Sequence, residues 1–423
     1  MKRMVRVFEH QILDKFSLCT DKEPLGVEAI DALWKFNDAN GQKYFIGTRH
    51  GVRFKQFVGV LQVGNVTIEI LPKADLNESE EYDRWQDILL KMLKYCKWIS
   101  VDSLTTASLR IKNNSLLDLY FELYLKELES LIHQGLFKKY KPVEDNVTAL
   151  KGSLRFSKHI QQNLVNKARF YTAHQVYSQD HLLHQILLYA LQILKKINCN
   201  HQLTDRINRV LFSLPEISWR SITASHFKQI VESRKTKPYK QALQIAKMLI
   251  LNYSPDIKQG KEDMIAILFD MNRLWEEFVY RVLSNNLDAE RYRLSFQNKQ
   301  DFWDNKTIRP DIYMEVLEDL KVVNGYIIDT KWKIVADHSP SDEDLRQIFA
   351  YNAHWDCENS LLLYPSSIPT HRHSTGKYHF LFNGKTHHCS LGFIGVNDGR
   401  GGVNIKFHNK VLDMLLTKSA TDM

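Results

Sequence analysis

RPDIYMEVLEDLKVVNGYIIDTKWK, residues 309–333, contains two apolar runs with an aspartate beside each, and a lysine two residues after the second aspartate. In a strand alternate side chains share a face, so Ile327, Asp329, Lys331 and Lys333 point one way and Tyr326, Ile328, Thr330 and Trp332 the other. The link between the runs is short and Asn324-Gly325 supplies a turn signal, which predicts a hairpin that brings Asp311 beside Asp329. Two carboxylates and one ammonium then converge on a small volume.

Phosphodiester hydrolysis calls for that combination. Carboxylate oxygens hold Mg²⁺, the metal neutralises phosphate charge and activates water, and a nearby lysine orients the water and offsets charge in the transition state. A single D-x-K after apolar residues is common, so the flanking elements matter. Upstream, the apolar stripe Leu274, Trp275, Phe278, Val279 and Val282 of a predicted helix leaves Glu276 on its border, able to lean into a site, and Glu277 on the solvated side. Downstream, Gln347 and Tyr351 are four residues apart and share one helix face. The order Glu, Pro-Asp, Asp-x-Lys, Gln-xxx-Tyr is far more specific than any one piece.

The rest of the 423-residue chain is long enough for two or three domains, and 44% apolar with 25% charged residues is the balance of a folded globular protein. Polar groups interrupt every apolar stretch of the first twenty residues, and no segment approaches a membrane-spanning length, which predicts a cytoplasmic protein. Five cysteines stand singly without a CxxC pair, against a disulfide framework or structural zinc. A formal charge of +8 is compatible with nucleic acid but does not require it.

Residues 1–95 read as β-rich, with a hairpin over FKQFVGVLQVGNVTIEILPKAD turning at Gly64-Asn65. Residues 96–262 read as mainly helical, from helical spacing in 115–136, 181–197 and 240–253, with residues 233–240 as an exposed connector. Residues 263–423 read as an α/β domain with a mixed sheet that starts near Ile265, with MNRLWEEFVYRVLSNN as its first helix. The histidines of the 371–389 segment match no zinc spacing and are expected on a surface loop and hairpin. The glycine run NDGRGGVN opens no helix and reads as a hairpin turn.

With those residues in hand, the last third resembles the PD-(D/E)xK nuclease superfamily, in the branch with a Gln-xxx-Tyr motif. The resemblance extends over most of the chain: FVGVLQVGNVTIEILPKAD, LKGSLRF, FDMNRLWEEFV, RPDIYM and IIDTKWK occur in the order found in McrC proteins. It implies that Asp311 and Asp329 ligate Mg²⁺, that Lys331 assists the attacking water, and that Glu276 supports the metal or water network. Gln347 and Tyr351 match the accessory motif, whose residues face the DNA backbone or steady the lysine. The second acidic position is Asp where many members have Glu, a permitted variant.

The resemblance also implies an endonuclease subunit of a modification-dependent restriction system of 5-methylcytosine type. Its partners would be double-stranded DNA, an McrB-like hexameric AAA+ GTPase whose GTP hydrolysis it stimulates, and a second McrC subunit for double-strand cleavage. The sequence has no GxxxxGK[ST] phosphate loop, so GTP is expected in the partner. Residues 1–95 are the expected docking region. Two alternatives stand beside this reading: a non-catalytic NTPase activator on a nuclease scaffold, and a stand-alone DNA repair nuclease. The retained carboxylates and lysine weigh against the first, and the long non-nuclease region against the second.

Overall fold

The computed structural model describes residues 3–73, 81–99, 115–255, 263–335, 339–366, 373–398 and 402–416. Every residue of the strands Phe57–Val63 and Val66–Leu71 is buried, so neither strand has a solvent side. They form the expected hairpin. Around it stands a five-stranded sheet in the order Arg3–Phe8, Val66–Leu71, Phe57–Val63, Met264–Asp270, Tyr253–Ser254.

Met264–Asp270 is a strand that the sequence reading does not contain. The helix expected over MNRLWEEFVYRVLSNN follows it as Met271–Asn286, capped by Asp270, whose side chain accepts from the Asn272 and Arg273 amides. Seven consecutive residues pair antiparallel with Phe57–Val63, so the segment read as a separate third domain shares a sheet with the N-terminal region. The approach is close at Gly59, where φ is +136° and a Cβ would lie 2.2 Å from the Ile267 carbonyl oxygen, so only glycine fits.

The helices Tyr82–Tyr95, Leu116–Gln134, Leu182–Ile197 and Lys240–Leu251 follow the predicted spacing and pack their apolar stripes into the largest core. Ser115 and Asp118 close a capping box at the start of the second. The supposed exposed connector is partly interior: Thr236 and Tyr239 are buried.

The helical middle also holds a three-stranded sheet that was not anticipated: Lys139–Val147, Phe170–Ser178 and Ser153–Leu154, with the helix Phe156–Asn163 against it. Alternation is legible only where one face is buried. Residues 139–178 contribute no side chain to a hydrophobic core, and Lys139–Val147 has no buried residue. This arm joins the helices at Phe137, whose amide donates to the Tyr239 hydroxyl.

The C-terminal sheet has six strands in the order Tyr292–Phe296, Ile312–Glu318, Lys321–Thr330, Asn359–Ser366, Lys385–Gly395, His373–Phe382. It is mixed, because Lys321–Thr330, Asn359–Ser366 and Lys385–Gly395 run parallel. Helices Met271–Asn286 and His408–Leu416 cover the face carrying Ile312, Ile328 and Leu361. Helix Asp342–Trp355 covers the face carrying Ile327, Leu362 and Tyr364. The expected mixed α/β architecture is present.

Ile312–Glu318 and Lys321–Thr330 form the predicted hairpin, but its turn lies elsewhere. Asp319 and Leu320 both have positive φ, and Asn324-Gly325 sits within the second strand. Gly325 serves a different need there: a Cβ would lie 2.8 Å from the Tyr313 hydroxyl across the ladder. No described helix is long and apolar enough to cross a membrane. All five cysteines are free thiols.

Candidate active site

Pairing of Ile312 with Ile328 sets Asp311, one residue before its strand, against the end of the neighbouring strand. The Asp311 carboxylate accepts from the Thr330 amide at 2.7 Å and from the Thr330 hydroxyl at 3.0 Å. Asp329 is buried on the face covered by helix Asp342–Trp355, as the alternation of Ile327 and Asp329 requires. Regular pairing ends at Thr330, and the Lys331 amide makes one further bond to the Leu363 carbonyl at 2.9 Å.

Lys331 Nζ lies 2.7 Å from Asp329 Oδ2 and donates to Gln347 Oε1 at 2.8 Å. Gln347 Nε2 is 2.6 Å from the Tyr351 hydroxyl. Asp329, Lys331, Gln347 and Tyr351 therefore form one continuous chain of contacts. Glu276 reaches the same region from helix Met271–Asn286 and accepts from Gln297 Nε2 at 3.0 Å. The stripe that orients it, Leu274, Trp275, Phe278, Val279 and Val282, is buried throughout.

All six sequence-predicted residues thus lie together. Lys333 does not: its ammonium pairs with Asp344 on the helix Asp342–Trp355. Glu277 is not solvated but accepts from Trp98 Nε1 at 2.7 Å and from Arg281. Thr330 and Gln297 were missed. Their role is to hold a carboxylate, which depends on strand register, and neither residue type signals that in sequence.

Burial and mutual repulsion dominate the electrostatics. Burial, then the Glu276 charge, pushes Asp311 up to about 6, against its bonds from Thr330. Burial, then Asp311, pushes Asp329 up to about 7, against Lys331. Glu276 is raised by burial and by Asp329, with Gln297 opposing. Carboxyls placed so close resist joint ionisation unless a cation joins them.

The donor set fits a magnesium ion. Asp329 Oδ2 is buried and, beyond its ion contact with Lys331, accepts no hydrogen bond. Among the described residues no group of three or more His, Cys, Asp or Glu is placed to hold a metal ion by itself. Mg²⁺ takes one or two carboxylates and completes its shell with water and substrate phosphate, so an open pair such as Asp311 and Asp329 suits it.

Beside Gln347 and Tyr351 opens a cleft of about 600 Å³, lined also by Lys299, Phe302, Thr307 and Arg309. Its outer wall is a two-stranded hairpin, Gln300–Trp303 with Lys306–Ile308, which leaves Phe302 and Trp303 exposed. Among the described residues the histidine segment forms no metal-binding cluster. His387 is buried, contrary to the expected surface position, with Nδ1 2.8 Å from the Cys357 carbonyl; His379 is exposed. His371 and residues 399–401 of the glycine run lie outside the described residues. Asn397 pairs antiparallel with Val403, the turn expected there.

The chain is 24% identical over 345 residues to the Escherichia coli (strain K12) type IV methyl-directed restriction enzyme EcoKMcrBC, covering 76% of this chain and 94% of that protein. Its fold matches a chain of the refined half-complex from the tetradecameric assembly of Thermococcus gammatolerans McrB AAA+ hexamers with bound McrC. That match has a TM-score of 0.75 and 16% identity, over 97% of this chain and all of that one. A chain of the T. gammatolerans McrBC complex solved by cryo-EM matches at TM-score 0.52 and 19% identity, over 68% of this chain and 89% of the other. The family model described as McrBC 5-methylcytosine restriction system component spans residues 52–365, from the N-terminal sheet through the carboxylate site, and the chain belongs to that family.

Proposed function

We propose that this chain is the Mg²⁺-dependent DNA endonuclease subunit of a GTP-dependent, modification-dependent restriction complex, with its C-terminal sheet a PD-(D/E)xK nuclease fold. The carrying observation is the contact chain from Asp329 through Lys331 and Gln347 to Tyr351, with Asp311 and Glu276 at its side. Bound between Asp311 and Asp329, Mg²⁺ would supply phosphate charge neutralisation and water activation. Thr330 fixes one Asp311 oxygen. Gln347 holds the Lys331 ammonium in place to orient water and offset charge on the phosphoryl group. Tyr351 in turn fixes the Gln347 amide.

The scaffold reading is weaker on physical grounds. Two neighbouring buried carboxylates raised toward neutrality cost stability, and a scaffold gains nothing from them. The experiment is cleavage of 5-methylcytosine-containing DNA by the full chain with its AAA+ GTPase, GTP and Mg²⁺. Wild-type cutting by Asp329→Asn would overturn the assignment.

The cleft beside Gln347 is the path for DNA. Lys299 and Arg309 supply phosphate contacts, and Phe302 and Trp303 stand exposed on the hairpin to meet a base or sugar. Replacing both aromatics by alanine should raise KM for DNA about tenfold, the scale of one lost aromatic contact, with kcat unchanged. An unchanged KM places the DNA elsewhere.

We further propose that the GTPase docks on the arm of residues 139–178, beside the N-terminal region expected from sequence. A three-stranded sheet without a core is marginal alone, yet Leu164 is 72% and Val165 94% exposed on it. Leu164→Glu with Val165→Glu should reduce stimulation of the partner's GTP hydrolysis at least about tenfold while the fold persists. Full stimulation by that variant, with loss in Phe16→Glu, would assign docking to residues 1–95 instead. Deleting residues 1–95 is the poorer test, since it strips the strands that pair with Met264–Asp270.

A further inference from the structure

We propose that Glu9, just after the first strand, is a positioning residue for the cleavage site, holding the Lys331 segment in place through the indole of Trp332. This rests on the nuclease reading of Asp311, Asp329 and Lys331.

Beyond Thr330 the chain leaves the sheet, and residues 331–335 have no strand pairing. The direction of Lys331 then depends on its neighbours. Its own amide bonds Leu363, and Lys333 is drawn to Asp344. Between them Trp332 turns inward, 5% exposed, and its Nε1 donates to Glu9 Oε1 at 2.5 Å.

Glu9 is itself clamped. Its amide donates to the Leu71 carbonyl at 2.9 Å, and the Lys73 amide donates to its Oε1 at 3.0 Å. The Leu-Pro-Lys corner after the second hairpin strand thus supports the carboxylate that supports Trp332. On its other side the Trp332 ring meets Trp275 edge to face, centroids 5.5 Å apart, and Trp275 immediately precedes Glu276. One contact set from the N-terminal sheet therefore touches the neighbours of two site residues.

Packing alone does not account for a carboxylate here. Glu9 is buried and its Oε2 has no hydrogen-bond partner, with His10 Nε2 at 3.9 Å. Burial raises its pKa to about 7. An apolar side chain would fill the space at lower cost. What an apolar residue cannot do is accept from the indole and the Lys73 amide together.

The test uses the full chain with its partner GTPase, GTP, Mg²⁺ and modified DNA. Glu9→Ala and Trp332→Phe should each lower kcat about ten- to a hundredfold, the scale of a small misplacement, with KM for DNA and GTPase stimulation unchanged. Glu9→Gln keeps the acceptor and should cut near the wild-type rate. The double variant Glu9→Ala/Trp332→Phe should be no worse than either single one, because both remove one interaction. In protein labelled with 5-fluorotryptophan, the ¹⁹F resonance missing from Trp332→Phe should shift in Glu9→Ala and stay in place in Glu9→Gln.

Wild-type kcat in folded Glu9→Ala, equal loss in Glu9→Gln, or multiplying losses in the double variant would each overturn the proposal. If Glu9→Ala fails to fold, Trp332→Phe, which keeps the ring and removes the N–H, decides. An inactive Lys331→Ala beside an unimpaired Glu9→Ala sinks only the role of Glu9, whereas a fully active Lys331→Ala sinks the nuclease reading beneath it.

Discussion

Lys331→Ala should lower DNA cleavage at least about a hundred- to a thousandfold and leave stimulation of the partner GTPase intact. Burial alone would depress the lysine pKa, but the Asp329, Asp311 and Asp344 carboxylates outweigh it and hold the pKa above its ordinary value. The neighbouring carboxylates favour the ammonium form, which suits the side chain to orienting water and compensating charge. Both act only where the ammonium is held, and Gln347 and Asp329 hold it from two sides. Gln347→Ala should accordingly give a smaller loss of the same kind. Single-turnover cleavage and GTP hydrolysis measured on the same preparations separate the two functions. Undiminished cutting by Lys331→Ala excludes the site; parallel loss of GTPase stimulation shows a folding defect instead.

The site was legible because its residues repeat at spacings that regular structure converts into proximity. Asp329 and Lys331 share a strand face, Gln347 and Tyr351 a helix face, and the stripe around Trp275 sets the lean of Glu276. What joins those pieces was not legible. Gln347 meets Lys331, and Thr330 meets Asp311, only once three elements pack, and no local pattern encodes that packing.

The fold shows the same division. Gly64 marks its turn correctly because nothing else explains a glycine there. Asn324-Gly325 misleads because Gly325 answers to the Tyr313 ring on the adjacent strand. Met264–Asp270 lies on the boundary expected between domains, where six consecutive apolar residues carry no period that marks a strand. The arm escaped notice because a sheet with no buried face carries no alternation.

Asp329→Asn should stabilise the metal-free chain above neutrality and flatten its stability profile between about pH 4 and pH 8, even as it abolishes cutting. Asp311 and Asp329 are raised from the usual carboxylate range to about 6 and about 7, so the folded state holds protons that the unfolded chain has released. A group of that kind contributes its stability fully below the unfolded pKa, near 4, and loses it as pH rises through the folded value. The stability of the metal-free wild type should therefore fall from pH 5 to pH 8, by an amount on the order of 4 kcal/mol at most, and Tm should fall with it. Removing the Asp329 carboxylate removes its own, larger share of that slope and leaves the share of Asp311, which burial and the Glu276 charge set. Mg²⁺ should oppose the loss from the other direction, since an ion that binds only the folded, ionised pair stabilises by mass action. Its effect on Tm should be small at pH 5, grow toward pH 8, and vanish in Asp329→Asn. Calorimetry across that range, with Mg²⁺ and with a chelator, needs neither partner nor DNA. A Mg²⁺ effect independent of pH, or surviving in Asp329→Asn, would move the metal away from these two carboxylates.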